Sequence, residues 1–217
     1  MSADGSKLAV DVAKAEAGPT FGVLVINTKT GSHVLWHSNV LPGGVVFHPT
    51  DLSFARDVRE LAMFDFDACA AGIGSHCKTP GEEMLAVSPA ARGGKLSSGR
   101  RIFTQAQLGI HKVGYINDAF MSPDGGTVII NFGGHVSGDA RVVQLSAATG
   151  KVLRTLFKPG PGADAGILFG TDPSGKFVLY NRIVFNGRSP QRTNGWIDHG
   201  RLRPLKPVHA FIQLEAW

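Results

Sequence analysis

Short apolar runs with a period of two alternate with clusters of turn-forming residues along the whole chain. The segment Phe21-Gly-Val-Leu-Val-Ile-Asn27 and the segment Arg141-Val-Val-Gln-Leu-Ser146 are typical examples, and each ends in a polar turn. Successive side chains of a strand point to opposite faces, so this period predicts β-strands. Apolar residues at helical spacing are missing throughout, and 28 glycines with 12 prolines leave little room for long helices. The pattern therefore predicts an all-β fold.

The same turn-and-strand unit recurs four times. It occupies residues 2–10, 55–63, 122–130 and 172–179, and superposing Leu8, Leu61, Val128 and Phe177 gives spacings of about 53, 67 and 49 residues. In Ser122-Pro-Asp-Gly-Gly, Pro presets φ while Asp and Gly tolerate the tight conformations that follow, so each cluster predicts a hairpin turn. Repeats of this length are typical of β-propeller blades.

A second hairpin completes each repeat. Residues 141–150 end in Ala-Ala-Thr-Gly and are followed at once by the strand 151–157, as 21–31 are followed by 32–37. The order strand, turn, strand, loop, strand, turn, strand is the four-stranded antiparallel meander of a propeller blade. We predict one propeller region over 1–217, with blades at residues 1–38, 51–104, 115–157 and 166–208 and a closing segment at 210–217.

These motifs resemble those of uncharacterised WD-repeat-like, TolB-like β-propeller proteins of actinobacteria. The resemblance rests on Ser122-Pro-Asp-Gly-Gly, Ala148-Thr-Gly-Lys-Val, Asp172-Pro-Ser-Gly-Lys and the stretch from Gly195 to Leu205, and it covers nearly the whole chain. It implies a scaffold used for binding more than a particular chemistry. Members typically have more blades, often behind a membrane anchor, which implies an extracytoplasmic location.

Two departures from this pattern concern the first two blades. Met1 falls at the first hairpin turn, so blade one is expected to lack its first strand, and Arg56-Asp-Val-Arg59 replaces the usual Pro-Asp-Gly and weakens the assignment of blade two. The chain is therefore expected to be the C-terminal part of a longer propeller. Only Ala210-Phe-Ile-Gln-Leu-Glu-Ala-Trp217 could supply the missing strand. Open blade edges are expected to promote self-association.

Composition and charge exclude some classes of protein. No run approaches the ~20 apolar residues that span a bilayer, and the first residues are not a signal peptide. The net charge of +5 comes from residues 151–217, which carry ten Lys and Arg against four Asp and Glu. These cations are scattered without an array of aromatic side chains, so the pattern favours a solvated face over a nucleic-acid site.

Motifs for catalysis or metal binding are weak. Gly170-Thr-Asp-Pro-Ser-Gly-Lys176 has P-loop spacing, but Phe177 occupies the position of the Ser or Thr that binds magnesium and a strand follows. His33 and His37 would lie roughly 13 Å apart on a strand, too far to share one zinc ion. The acidic residues Asp65, Asp67, Glu82 and Glu83 lack the spacing of a calcium loop, and no Gly-x-Ser-x-Gly elbow occurs. We predict no catalytic residues, no cofactor and no metal.

Two function classes stay open at this stage. The favoured one is a non-enzymatic binding or scaffold propeller that presents loops to a protein or a cell-envelope polymer. The alternative is a propeller-type lactonase or hydrolase, which would gather carboxylates and a histidine around the central channel.

Cys69 and Cys77 are the only two cysteines, and they bracket a glycine-containing loop of the longest insertion. Such a pair can form a short disulfide-closed ring in an oxidising compartment, while free thiols or a metal site are the alternatives. The disulfide is favoured because no second cysteine pair completes a zinc tetrad.

We predict a Cys69–Cys77 disulfide in protein made under oxidising conditions. When the protein is alkylated without reductant and its mass is measured, both cysteines should be unmodified, because neither has a free thiol. Modification of both cysteines would show that the bond is absent, and it would remove this support for an extracytoplasmic location.

Overall fold

The computed structural model describes residues 1–14, 20–38, 48–55, 57–66, 83–108, 115–133, 140–159, 165–172, 176–186 and 189–205. These residues form four sheets of four strands each. Short 3₁₀ turns at Leu96–Ser98 and Gln105–Leu108 are the only helical segments in that part of the chain. The all-β prediction and the division into four blades are confirmed.

The strands follow the chain in blade order. Blade 1 holds β1 (Lys7–Lys14), β2 (Thr20–Asn27) and β3 (His33–His37). Blade 2 holds β4 (His48–Phe54), β5 (Leu61–Phe66), β6 (Glu83–Val87) and β8 (Arg100–Thr104), with the two-residue strand β7 (Gly94–Lys95) before β8. Blade 3 holds β9 (Tyr115–Met121), β10 (Thr127–Gly133), β11 (Arg141–Ser146) and β12 (Val152–Phe157). Blade 4 holds β13 (Ala165–Thr171), β14 (Val178–Asn186), β15 (Ser189–Asp198) and β16 (Arg201–Pro204).

Blades 2, 3 and 4 are complete antiparallel meanders, whereas blade 1 has only three strands of its own. The fourth strand of its sheet is β7, which pairs in parallel with the outer strand β3 through Trp36–Gly94 and His37–Lys95. Adjacent Leu96 is buried in the core between blades 1 and 2. The side of β1 away from β2 carries no strand among the described residues. Among the described residues blade 1 therefore has three strands of its own, and β7 of blade 2 covers its outer edge. The closing segment predicted at 210–217 lies outside the described residues.

Gly93 allows the β7 segment to approach blade 1. Its φ is +83°, and a Cβ there would lie 2.4 Å from the carbonyl oxygen of Leu35. Only glycine adopts this conformation at that distance without displacing the β3 backbone.

Three apolar cores, one between each pair of consecutive blades, hold the sheets together. Successive side chains of a strand point to opposite faces of the sheet, so the side chains of blades 2 and 3 alternate between the interface with the preceding blade and the interface with the following blade. On β5 of blade 2, Leu61 and Met63 join the core shared with blade 1, while Ala62 and Phe64 join the core shared with blade 3. On β10 of blade 3, Val128 and Ile130 face blade 2 and Ile129 faces blade 4. No buried apolar cluster joins blade 4 to blade 1 in the described part of the chain.

One turn geometry recurs at the first hairpin of every blade. The N–H of the first turn residue donates to the carbonyl five positions later, from Ser2 to Lys7, Ala55 to Glu60, Ser122 to Thr127 and Asp172 to Phe177. In blades 1 and 3 the Ser hydroxyl also bonds the Asp two positions on, and a glycine follows with φ near +70°. The four-fold repeat inferred from the sequence is thus present in the backbone.

The superposition on Phe177 is wrong by one residue. The closing bonds align Phe177 with Lys7, Glu60 and Thr127, so Val178 is the counterpart of Leu8, Leu61 and Val128. Phe177 is 44% exposed, whereas Val178 packs in the core facing blade 3. In the sequence, its hydrophobic side chain favoured Phe177 as the counterpart of Leu8, Leu61 and Val128. The length of the turn, however, decides which side chain faces the neighbouring blade.

Blade 2 forms the same turn although it lacks the usual residues. Val58 occupies the glycine position with φ +58°, and its N–H still donates to the carbonyl of Ala55. A β-branched residue in this region is strained by roughly 1–2 kcal/mol. The expectation that Arg56–Arg59 weakens the assignment of blade 2 is therefore wrong, because burial of the blade on both faces imposes the turn on an unsuitable residue.

Val58→Gly should raise the free energy of unfolding by about 1 kcal/mol, because it removes left-handed strain at a half-buried position. Equilibrium urea unfolding measures the change. The matched reverse substitution is Gly125→Val at φ +70°, where a Cβ would also meet the Ala55 methyl at 3.2 Å. That variant should lose stability by about 1–2 kcal/mol or more. Destabilisation by both substitutions would contradict the strain assigned to Val58.

Candidate functional site

Polar side chains of blade 2 bind the backbone of blade 3 where the first strands of these blades lie side by side. Asp51 Oδ2 accepts a hydrogen bond from the N–H of Ala119 at 3.0 Å, and Ser53 Oγ accepts one from the N–H of Met121 at 2.9 Å. Both N–H groups belong to β9, whose other edge pairs with β10. The two side chains therefore satisfy alternate donors on the edge of β9 that pairs with no strand among the described residues.

The backbone of β4 is distorted to make this contact. Its pairing with β5 shifts register between Thr50 and Ser53, and Asp51 lies in this bulge with φ +51°. Bulges re-aim side chains, and Asp tolerates the left-handed region better than most residues. The bulge directs the Asp51 carboxyl group into the interface between blades 2 and 3.

The Asp51 carboxyl group has a strongly perturbed acidity. Burial and, secondarily, the nearby Asp118 carboxylate raise the pKa of Asp51 to about 8, although the bond from Ala119 N–H acts in the opposite direction. Asp118 lies on β9 and accepts a hydrogen bond from Asn131 Nδ2 at 2.9 Å. The Asp51 carboxyl group therefore holds its proton to a higher pH than an ordinary aspartate does.

Tyr180 and Arg182 of blade 4 complete this polar cluster. We call it the Asp51–Asp118 cluster; it comprises Asp51, Asp118, Asn131, Tyr180 and Arg182. Tyr180 is only 1% exposed. Burial and, to a smaller extent, the Asp118 charge raise the pKa of its phenol to about 12, while Arg182 acts in the opposite direction. Its ring packs edge-on against Phe157 of blade 3 at 5.5 Å between centroids. Neither Tyr180 Oη nor Arg182 Nε has a hydrogen-bond partner among the described residues.

Chemically, this arrangement combines a proton donor, a carboxylate and a guanidinium near the first strands of three blades. Asp51, Asp118 and Arg182 are half-buried, so part of the cluster contacts solvent. No group of three or more His, Cys, Asp or Glu side chains with metal-binding geometry occurs in the ranges that the structure describes. The described residues thus support hydrogen bonding and proton exchange at this cluster.

None of these cluster residues was singled out in the sequence. Asp51 follows Pro49-Thr50, and Asp118 lies in the strand Tyr115–Met121 without a motif around it. A usable signal was present in the placement of both acids inside predicted first strands of blades, where apolar side chains are usual. The pairing itself depends on the bulge and on the stacking of blades.

The candidates from the sequence lie elsewhere. His33 and His37 are the two ends of β3, as the strand interpretation required. Asp172 and Phe177 close a hairpin turn, so the Gly170–Lys176 segment has no helix to support a phosphate, although 173–175 lie outside the described residues. Glu83 pairs with Arg101, while Asp67 and Glu82 lie outside the described residues. Cys69 and Cys77 also lie outside them, so the disulfide stays a prediction.

A second surface feature lies on the outer strand of blade 3. Val152 and Leu153 are 53% and 57% exposed, the most exposed large apolar side chains after Met1 in the described ranges. The pairing of β12 with β11 shifts register twice. At each shift β12 has one extra residue, so Leu153 and Leu156 have no paired residue on β11. Exposed Lys151, Arg154 and Lys158 surround the pair. We call Lys151–Arg154 and Lys158 the β12 patch.

No protein-family model matches the chain, and no curated protein matches it. Among solved structures, the chain is similar to the β-propeller domain of the Trilobed protease from Pyrococcus furiosus, with 12% identity and a TM-score of 0.52 over 93% of this chain and 54% of that one. It is also similar to a chain of the nidogen/laminin complex, with 11% identity and a TM-score of 0.53 over 91% and 60%.

A third similar structure is oligogalacturonate lyase in complex with manganese, with 13% identity and a TM-score of 0.53 over 82% of this chain and 47% of that one. The chain spans about half the length of these proteins. They share its architecture and differ in function, so the comparison establishes the fold alone: the described residues form four blades of a β-propeller. The described residues include no helix long and apolar enough to cross a membrane.

The raised pKa of Asp51 predicts an unusual pH dependence. The folded state holds this proton more tightly than the unfolded chain, whose Asp pKa is near 3.8, so the contribution to stability is full below pH 4. It is lost as the pH rises towards 8. Asp51→Asn keeps the acceptor for Ala119 and cannot ionise, so unfolding at pH 8 should cost roughly 2–4 kcal/mol more than in the wild type.

Chemical denaturation between pH 2 and 8 tests this, with Asp124→Asn as the matched control. Hydrogen bonds from the Ser122 hydroxyl and the Gly126 N–H lower the pKa of Asp124, so its contribution is present above the unfolded pKa and is lost as the pH falls. The two variants should therefore change the pH profile in opposite directions. Equal pH profiles for Asp51→Asn and wild type would show that Asp51 is ionised normally.

Proposed function

We propose that the chain is a non-enzymatic binding propeller that engages a protein partner through the β12 patch. The observation behind this proposal is the exposure of adjacent Val152 and Leu153 among cations on an outer strand. Exposed apolar groups rimmed by charge are typical of protein-binding surfaces. Neighbouring structures support the use of this scaffold in binding, since one of them is the nidogen/laminin complex.

The form of β12 favours recognition through side chains over addition of a strand. Bulges and Lys or Arg residues on an edge both disfavour pairing with another backbone. Leu153 lies at one of the two register shifts and is the more exposed residue of the apolar pair. An acidic partner with an apolar side chain at its centre would match both the Val152–Leu153 pair and the surrounding positive charge.

The charge distribution supports an acidic partner. Arg201 and Arg203 are exposed on β16 of the adjacent blade, and the turn before β16 approaches blade 3, since a Cβ at Gly200 would lie 3.9 Å from the carbonyl oxygen of Leu156. Asp198, the acid in that turn, is already paired with His199 and Arg203. Positive potential therefore extends beyond β12 onto blade 4.

Panning a phage-displayed library of random peptides against the protein tests the binding proposal. Wild type should enrich acidic peptides that contain a central apolar residue, and Leu153→Asp should lose them because it places a carboxylate in the apolar contact. Val10→Asp, on the far blade, is the matched control and should retain them. Peptides that bind Leu153→Asp as well as wild type would place the binding surface elsewhere.

A hydrolase is the second candidate, and the Asp51–Asp118 cluster is the observation that favours it. A protonated carboxyl group beside an ionised one can act as an acid and base pair. Against this role, both side chains already bind within the protein, to Ala119 and Asn131. The cluster therefore supports the interface at least as well as it supports catalysis.

A panel of lactone and ester substrates, with and without added calcium or zinc, separates the two functions. The binding proposal expects no turnover by wild type. Turnover that is lost in both Asp51→Asn and Asp118→Asn, while neither variant unfolds at a lower temperature than wild type, would overturn it in favour of the hydrolase.

A further inference from the structure

Blade 4 has a polar side chain at a position where the other blades have an apolar one. The turn bonds align Tyr180 with Val10, Met63 and Ile130. Ile130 packs in the apolar core that faces the preceding blade, and Tyr180 likewise packs in the core that faces blade 3. The Tyr180 ring fills this space and contacts Phe157 edge-on. Its hydroxyl group is therefore an addition that the packing of the blades does not require.

Two hydrogen-bond donors at this place have no acceptor. The Tyr180 hydroxyl and the Arg182 Nε–H are closed to solvent, and neither has a partner among the described residues. The charges of Asp118 and Arg182 both act on the Tyr180 phenol, which places the three groups close together. A buried donor without an acceptor costs free energy, and a bound acceptor recovers it. The two donors therefore indicate an acceptor that comes from outside the chain.

The charges around these donors disfavour a charged ligand group. Asp118 and Arg182 oppose each other, and Asp51 holds its proton up to an unusually high pH, so the cluster is close to neutral. A ligand carboxylate would meet the like charge of Asp118, and a ligand ammonium would meet that of Arg182. A hydroxyl group both accepts and donates, so it can accept from Tyr180 and donate to Asp118. An ionised carboxylate accepts more bonds than the one that Asn131 supplies.

We propose that the Asp51–Asp118 cluster binds a neutral sugar whose hydroxyl groups bond Asp118, Tyr180 and Arg182. Neighbouring hydroxyl groups of a sugar present several donors and acceptors at fixed spacing, which matches one acceptor beside two donors. Rotation of the half-exposed Arg182 side chain admits the ligand to the buried phenol. These side chains belong to β9 and β14, so the site is separate from the β12 patch and its protein partner.

A glycan array tests the class of ligand. Fluorescently labelled wild type should bind neutral oligosaccharides of glucose, galactose or mannose. It should bind their counterparts that contain glucuronate or unacetylated glucosamine at least about tenfold more weakly, because each brings a charge beside a like charge. Failure to bind any neutral oligosaccharide, or a preference for the charged ones, would overturn the proposal.

Tyr180→Phe tests the site, because it removes the hydroxyl group and keeps the ring. Affinity for the bound oligosaccharide, measured by isothermal titration calorimetry, should fall about three- to tenfold. Arg182→Lys keeps the positive charge but lacks the Nε donor, and it should weaken binding to a similar extent. Without oligosaccharide, Tyr180→Phe should not unfold at a lower temperature than wild type, since the lost hydroxyl has no partner among the described residues.

Leu153→Asp on β12 is the matched control. It should bind the oligosaccharide as wild type does while it loses the peptides selected on the β12 patch, so each proposal can fail without the other. Equal affinity of Tyr180→Phe and wild type would show that the phenol holds only an ordered water, and it would overturn the sugar site. Weaker binding together with a lower unfolding temperature would assign the hydroxyl to holding the blades together, which also contradicts the proposal.

Discussion

The structure depends on the burial of both faces of every sheet. A strand offers side chains to both faces in strict alternation, so a blade whose two faces are apolar is stable only between two neighbours. Leu61 and Met63 on one face of β5, and Ala62 and Phe64 on the other, meet this condition because blades 1 and 3 enclose blade 2. Leu8 and Val10 have the same pattern but only one neighbouring blade in the described part of the chain, and they are partly exposed.

The same constraint explains how irregular local sequences persist. Val58 is a poor residue for a left-handed turn, yet it closes the hairpin of blade 2 because the apolar strands on either side must stay in register. Asp51 adopts a left-handed conformation in a bulge because β9 has edge N–H groups that require acceptors. In both cases the free energy from packing two blades exceeds a local strain of about 1–3 kcal/mol.

Polar groups at the blade interfaces connect the architecture to the candidate functions. Burying a carboxyl group raises its pKa, and Asp51 shows this in the interface between blades 2 and 3. Such a group can position blades or exchange protons. The β12 patch differs because its two apolar residues are more than half exposed on an outer strand.

The sequence by itself determined the elements and their order: alternating strands, recurrent turns and four blades follow from local chemistry with a range of a few residues. It placed Phe177 one position away from its structural equivalent, because hydrophobicity does not report turn length. Only the tertiary structure brought Asp51 near Asp118, although 67 residues separate them, since that proximity depends on the bulge in β4 and the stacking of blades 2 and 3. Val152 and Leu153 are likewise exposed because β12 is the outermost strand of its sheet. The apolar pattern of β12 alone does not show that exposure.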